Sequence, residues 1–400
     1  MGAKAQQAPR TLPAPDATYA EPFSSVSVGT VRELRDGRVI VADVRDRVLQ
    51  AIDFRSGSSV TIGREGSGPA EFGMPMRVFA APGDTTFLFD PLNQRYLVVG
   101  PDAKPVTTFR MEADARPTPT DTRARQVPGP GGAGQQMMIG VGALFARASD
   151  AMGRLYAETP GFSMGPNGPQ SSDSAAVVRF DRAARRLDTL AFVKLPPQNT
   201  QVSGGANNML MLVGGANPLT PRDEWTVFPD GRVAVVRAAD YHVDFFAPNG
   251  SRQTSAPVRF TPIRITEADK REEEALRLRA RANQMMMTVN AGAGGVQRSA
   301  TMGPGANAPP PPLTDWPESK PPFRSGMASV LARPNGELWV RRTEPAGAKG
   351  TLYDVLNAQG AVTHQVRIPD GWTLIGFGNG TIYTTKLDED DLVYLQRHRM

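Results

Sequence analysis

The feature that most limits what this chain can fold into is a recurring pair: a glycine-containing turn and, directly after it, a run of β-forming residues. Asp36-Gly37 leads into RVIVADV and then RVLQAIDF, Gly83-Asp84 into TTFLFD and RYLVVG, and Asp150 to Gly153 into RLYAET with AAVVRFD further on. Asp230-Gly231 (RVAVVRA, YHVDFFA), Asn335-Gly336 (ELWVRR, TLYDVLN) and Asn379-Gly380 (TIYTTKL, LVYLQRH) bring the count to six units. Tight hairpins need a positive φ, which glycine adopts freely and Asn or Asp tolerate. Runs such as VIVAD and VAVVR are apolar at successive positions, so both faces of these strands are expected to be buried, as in sheets packed between two neighbours. The closest copies, Gly37 to Asp84 and Gly336 to Gly380, lie about 45 residues apart, the spacing of a four-stranded blade. The expected fold is all-β, a six-bladed β-propeller.

Composition agrees and removes several kinds of chemistry. The 40 glycines and 36 prolines approach a fifth of the 400 residues, normal for many short strands and turns. The net charge of +5 is 45 basic against 40 acidic residues spread along the chain, so no nucleic-acid partner is implied. There is no cysteine, which excludes disulfides and thiolate chemistry, and the three histidines, His242, His364 and His398, leave little for imidazole chemistry. No apolar run approaches the ~20 residues of a membrane span. Ala3-Lys4-Ala5 has the small-x-small pattern of a signal-peptidase site, which points to a periplasmic or extracellular protein; an ordinary cytoplasmic start is the alternative.

The stretch TIGREGSGPAEFGMP, Thr61 to Pro75, has the glycine content of a phosphate loop. A Walker-type loop needs Lys-Ser or Lys-Thr after its last glycine and then a helix; here Pro69 follows Gly68, so a corner between the outer strand SSVTIG and the next inner strand MRVFAAP is expected. With the following TTFLFDPLNQRYLVVGPDAKPVTTF, this region resembles the NHL-repeat family, in which a glycine-rich segment ends in Phe and Pro, a strand ends in Asp, and Asn-x-Arg leads the next strand. The corresponding residues are Phe72, Pro75, Asp90, Asn93 and Arg95. The match extends over Gly63 to Phe109 and partly over Asp36 to Gly63, with Asp43 and Arg47 in equivalent places. The resemblance implies a six-bladed propeller. It implies no activity, because such propellers serve as protein-binding, RNA-binding and catalytic modules.

In a propeller, the loops between blades and those between second and third strands share one face. The long inserts 111–139, 196–221 and 261–325 fall between blades, and Thr159 to Ser174 falls between second and third strands, so all four are expected on that face. Three carry methionine-rich apolar residues framed by glycine, namely GGAGQQMMIGVG, GGANNMLMLVGG and ANQMMMTVNAGAGG. Their Met137, Met138, Met209, Leu210, Met211, Met285, Met286 and Met287 are the candidate partner-binding residues, since methionine is flexible and polarisable. A thioether Cu(I) site and a plug for the channel are the alternatives. A helix is expected from Thr266 to about Met287, with a Thr266/Asp269 capping box, a Glu273–Arg277 pair and an apolar stripe of Ala268, Ala275, Leu278, Ala282 and Met285. APPPPLTDWP reads as a stiff spacer, and the acidic LDEDD loop, Leu387 to Asp391, lacks calcium-loop spacing.

These observations point to a non-enzymatic exported propeller that binds a protein partner, as a scaffold subunit of a larger and membrane-associated assembly, with no cofactor. The alternative is a propeller hydrolase of lactonase type with a divalent metal in its channel, which needs acidic or amide residues on the innermost strands. MRVFAAP, GALFARA, EWTVFPD, MASVLAR and WTLIGFG offer few. The sixth unit is one strand short at Met400, so an N-terminal strand is expected to close the ring, with Phe23 to Val28 alongside Leu392 to Arg399 and residues 1–17 a flexible segment ahead of a propeller spanning 18–400.

Overall fold

The protein is seen in a computed structural model that describes residues 8–111, 116–117, 145–159, 162–165, 168–196, 199–203, 210–214, 217–282, 285–292, 295–302, 313–326 and 328–399. Its architecture is six antiparallel sheets arranged as a six-bladed propeller, and the strands of each blade follow chain order from the inside out. Blade I is built from Val31–Glu33, Val39–Asp43, Val48–Ile52 and Ser59–Thr61, and blade II from Arg77–Ala80, Thr86–Asp90, Arg95–Val99 and Pro105–Phe109. Blade III comprises Ala146–Ser149, Leu155–Glu158, Ser174–Asp181 and Arg186–Lys194; blade IV comprises Glu224–Val227, Val233–Arg237, His242–Phe246 and Arg252–Thr254. Blade V holds Val330–Ala332, Leu338–Arg341, Thr351–Leu356 and Val362–Ile368, and blade VI holds Trp372–Phe377, Thr381–Leu387 and Val393–Arg399.

The turn signals account for the first hairpin of every blade. Gly37, Gly83, Gly153, Gly231, Gly336 and Gly380 all have positive φ, between 68° and 92°, the region where a Cβ is strained. A second repeat is invisible in the sequence: Arg47, Gln94 and Tyr241 close the turns between second and third strands of blades I, II and IV at φ 51° to 56°. These turns impose a left-handed residue by geometry and accept different side chains there.

The core is divided among the gaps between blades. Ile40 and Ala42 face blade II with Leu88 and Leu97, while Val39 and Val41 face blade VI with Ile375, Tyr383 and Leu395. Four further clusters fill the other gaps, from Phe87 and Phe180 between blades II and III to Trp339 and Ile382 between blades V and VI. Every residue of Val39–Asp43 and of Thr86–Asp90 is buried, which is why those runs lack alternation.

The Thr61–Pro75 loop is a corner. Gly66 N donates to Phe72 O at 2.9 Å, and Gly68 N donates to Glu71 Oε2 at 2.8 Å, so the loop's own carboxylate occupies its amides. The buried Asp90 accepts from Gly73 N at 2.9 Å, Met74 N at 3.0 Å and Asn93 Nδ2 at 2.6 Å. Asn93 Nδ2 also donates to Gly66 O at 2.9 Å, and Arg95 donates to Gly68 O and Glu71 O at 2.6 and 2.9 Å. Asp43 does the same one blade earlier, accepting from Ser24 N at 2.6 Å and Ser25 N at 3.3 Å. The aspartate ending a second strand therefore pins the segment that enters its own blade.

An N-terminal strand closes the ring, with a register different from the expected one. Ala17–Thr18 pair antiparallel with Arg397 and Gln396, and Phe23 bridges Val393. Between them the chain bends at Ala20 and Glu21, so that the four-residue step from Tyr19 to Phe23 spans the two-residue step from Leu395 to Val393. Residues 24–28 turn away into blade I, held by Asp43 and by packing of Val26 and Val28. The stretch ahead of residue 18, expected to be flexible, contributes as well: Arg10–Thr11 lie parallel to the outer strand of blade V, and Leu12 is buried. Asp16 reaches Arg397 and Arg399, at 2.7 and 3.4 Å.

Candidate functional site

The strand order places the connections between blades, and those between second and third strands, on one face, here called the upper face. The inserts leave from it. Phe162–Gly165 pairs with Gly168–Ser171, Asn199–Ser203 with Leu210–Gly214, and Met285–Gly292 with Gly295–Met302, each as a two-stranded ribbon. Leu210 lies opposite Ser203 and Met211 opposite Val202, while Met285, Met286 and Met287 lie opposite Met302, Thr301 and Ala300. Met137, Met138 and Met209 fall outside the described residues.

Helix α1, Glu267–Ala282, precedes the third ribbon in the chain and differs from expectation twice. It ends five residues before Met287, because Met285 already belongs to a strand that pairs with Gly295–Met302. Its capping box is present, with Thr266 N to Asp269 Oδ2 at 2.8 Å and Asp269 N to Thr266 Oγ1 at 3.4 Å. Its orientation is the reverse of the apolar-stripe reading: Ala268, Ala275 and Leu278 are exposed, while Asp269 and Glu273 are 2% and 4% exposed. Asp269 pairs with Lys320 at 2.6 Å and accepts from Ala346 N at 2.8 Å. Glu273 takes a two-pronged contact from Arg324, with Nη2 to Oε2 at 3.0 Å, and Arg277, expected to pair with Glu273, reaches Glu274 instead at 3.5 Å. The rim beneath is basic, so the acidic stripe at i, i+4 docks and the alanine stripe, with little surface to bury, faces out. Burial would raise the Asp269 carboxyl, but hydrogen bonds from Lys320, from Thr266 and from Ala346 N hold it at about 2.

At the upper ends of three successive inner strands lies a dense charge network. Arg77 and Glu224 begin the inner strands of blades II and IV, and Arg147 is the extra residue of a β-bulge in that of blade III, where Ala146 opposes Ala157 and Ala148 opposes Tyr156. A bulge re-aims a side chain. Arg147 donates from Nη1 to Glu158 Oε2 at 3.0 Å and from Nη2 to Glu224 Oε2 at 3.1 Å, with its guanidinium 4.9 Å over the Trp225 ring. Arg222 grips the same two carboxylates, reaching Glu224 Oε1 at 3.3 Å and, more closely, Glu158. Trp225 Nε1 donates to Glu158 Oε2 at 2.8 Å, and Gly326 N to Glu224 Oε1 at 2.8 Å. Arg77 Nη1 donates to Arg147 O at 3.3 Å, and burial, then the Arg147 charge, bring its pKa down to about 10. Burial also opposes the Arg222 charge, yet Glu158 and Glu224 hold it above the ordinary value.

Each of the two carboxylates is thus shared by two guanidinia, an arrangement that is rigid and charge-matched. It does not suit a channel-centred divalent metal, which needs carboxylate oxygens free to coordinate, and no three His, Asp or Glu side chains converge as a metal site among the described residues. This network escaped the sequence reading. Its one signal was a charged residue at the start of successive inner strands, in MR, AR and EW.

Comparisons with known proteins agree on architecture alone. No family model matches the chain, nor does any curated protein. Among solved structures, it is similar to a member of the DUF4221 family from Bacteroides vulgatus, at 9% identity and TM-score 0.48 over 96% of this chain and 97% of that one. It is also similar to a protein described as exported from Bacteroides fragilis, at 11%, 0.45, 98% and 94%, and to a gluconolactonase from Xanthomonas campestris, at 8%, 0.36, 99% and 99%. The class is that of six-bladed β-propellers, as the strand order above already requires. No helix among the described residues is long and apolar enough to cross a membrane.

Proposed function

We propose that the protein is an exported, non-catalytic propeller that takes a protein partner on its upper face, as a subunit of a larger assembly. The observation that carries this reading is the form of the inserts: two-stranded ribbons on one face, with apolar strands such as LMLVG and MMMTV and no third strand paired to them among the described residues. A lone two-stranded ribbon is marginal in water and gains stability from what it packs against. Met137, Met138, Met209, Leu210, Met211, Met285, Met286 and Met287 are the proposed contacts. The kinship with NHL repeats draws support from Asp90, Asn93 and Arg95, which pin the glycine-rich corner through side-chain bonds. The lactonase reading draws less, because Glu158 and Glu224 are each taken up by two arginines.

The test replaces 204–215 by a short Gly-Ser link. Unfolding should stay cooperative, at an unchanged midpoint within about 2 °C, while the partner that co-purifies with the full chain from its native source is lost. A variant that keeps the partner, or one that unfolds outright, would remove the basis for this reading, the second outcome marking the segment as a plug.

A further inference from the structure

An open cleft of about 950 Å³ lies at the upper end of blade VI, with Gln396 and Tyr394 in its wall and Lys386 and the acidic turn Asp388 to Asp390 at its rim. Strand register builds that wall. Thr18, Gln396 and Thr384 form one row across three strands, and Tyr394 opposite Lys386 forms the next row towards the turn. Ile382 packs into the gap against blade V, so Thr384 and Lys386, two and four residues further on, stand on that same side of the sheet.

Exposed charges on a turn are ordinary surface, but the amide beneath them is not. Gln396 is only 6% exposed, and Thr384 Oγ1 donates to its Oε1 at 3.2 Å. Its Nε2 makes no hydrogen bond among the described residues and is not one of the polar atoms sealed from solvent, so its N–H groups are turned to the cleft that Gln396 lines. A buried amide fixed at one end and left without a protein partner at the other calls for an explanation. The row above it adds the Lys386 ammonium and the Tyr394 hydroxyl, which likewise have no hydrogen bond or ion pair among the described residues.

The acidic turn is held in shape independently of these groups. Asp388 Oδ1 accepts from Asp390 N and from Leu392 N, both at 2.9 Å, and Asp391 closes the turn at φ 60°. This leaves Asp388 Oδ2 and the carboxylates of Glu389 and Asp390 without an ion pair among the described residues, although Lys386 is two to four residues away in the chain. Charges of both signs thus line one cleft without neutralising each other.

We infer that this cleft binds a zwitterion, an amino acid or a short peptide, whose carboxylate accepts from Lys386, Gln396 Nε2 and Tyr394 while its ammonium lies against the acidic turn. A simple anion is opposed by three carboxylates, and a bare metal ion by Lys386 and by the lack of any three converging His, Asp or Glu ligands among the described residues. A neutral ligand would desolvate charges of both signs and compensate neither. The volume is within the range of small-molecule sites and holds more than a single residue.

The experiment measures thermal unfolding and calorimetric binding with an equimolar mixture of the standard amino acids, and separately with a pool of random tripeptides bearing free termini. At least one should stabilise the native chain saturably, and the one that does so assigns the source. The responding mixture, once N-acetylated or C-terminally amidated, should bind about tenfold more weakly, since each change removes one charge. Lys386→Met and Gln396→Leu should weaken binding by about the same factor, while Lys104→Met, an exposed control on blade II, should change nothing. Lys386 is exposed, so its variant keeps the native fold and decides the matter even if Gln396→Leu does not fold. No saturable response to either mixture, equal binding of the blocked forms, or native affinity in Lys386→Met would overturn the site. The deletion of 204–215 leaves blade VI untouched, so failure of the partner reading is read separately.

Discussion

A single carboxylate can hold a corner of this molecule. Asp90 sits at 0% exposure with three backbone N–H groups and the Asn93 side-chain amide directed at it, and Arg95 completes the grip on the glycine-rich loop. Asp90→Ala would strand those donors in the core and should lower the free energy of unfolding by ~3 kcal/mol, measured by denaturant titration. Asp90→Asn keeps the shape but points an N–H at donors, and should recover less than half of that. The pattern of Phe72, Asp90, Asn93 and Arg95 was legible in the sequence because the contacts are local to one blade. Arg147, Glu158, Arg222 and Glu224 were not, because their meeting depends on a bulge and on three blades brought together around the axis.

At the scale of one element, helix α1 shows how a neighbour overrides a pattern. Its start was readable from Thr266 and Asp269, since a capping box needs only residues three apart. Its buried face was not, since that depended on Lys320 and Arg324, contributed by the far arm of the same insertion, whose neck is closed by the pairing of Ile263–Arg264 with Ser319–Lys320. The docking carries a pH signature. The Asp269 pKa lies at about 2, below its unfolded value of ~3.9, so its contribution is complete above the unfolded value and is lost as pH falls through the folded one. Amide-exchange protection of α1 should therefore fall between about pH 4 and pH 2 ahead of the blades, and Asp269→Asn should remove most of that dependence. Protection falling in step with the blades would show that the helix is held by something else.

At the scale of the whole molecule, stability depends on joining the two ends of the chain. Hydrogen bonds from Leu12 N, Asp16 N, Tyr19 N and Phe23 N to the outer strands of blades V and VI measure 2.8 to 2.9 Å, and Leu12, Tyr19 and Phe23 are buried. At ~1 kcal/mol per hydrogen bond and ~2 kcal/mol per buried apolar side chain, this clasp is comparable with the net stability of a typical domain. Removing residues 1–8 should leave the thermal midpoint unchanged, whereas removing 1–23 should abolish cooperative unfolding by calorimetry; a cooperative transition in the shorter chain would show that the ring closes by packing alone. His398, fully buried, lies with Nδ1 2.9 Å from Pro13 O and Nε2 2.8 Å from Thr384 Oγ1, and burial lowers its pKa. Below the free imidazole value of ~6.5 the unfolded chain gains a proton that the native one resists, so stability should decline as pH drops from 7 towards 5, and His398→Gln should flatten that decline. The sequence by itself determined the six turns, the double-sided burial of the second strands and hence the propeller, because these follow from φ preference and hydrophobic pattern within a few residues. Which N-terminal residues close the ring, which side of α1 is buried, and which arginines meet which carboxylates were decided only in the tertiary structure, because each depends on charges and strand edges brought together from distant parts of the chain.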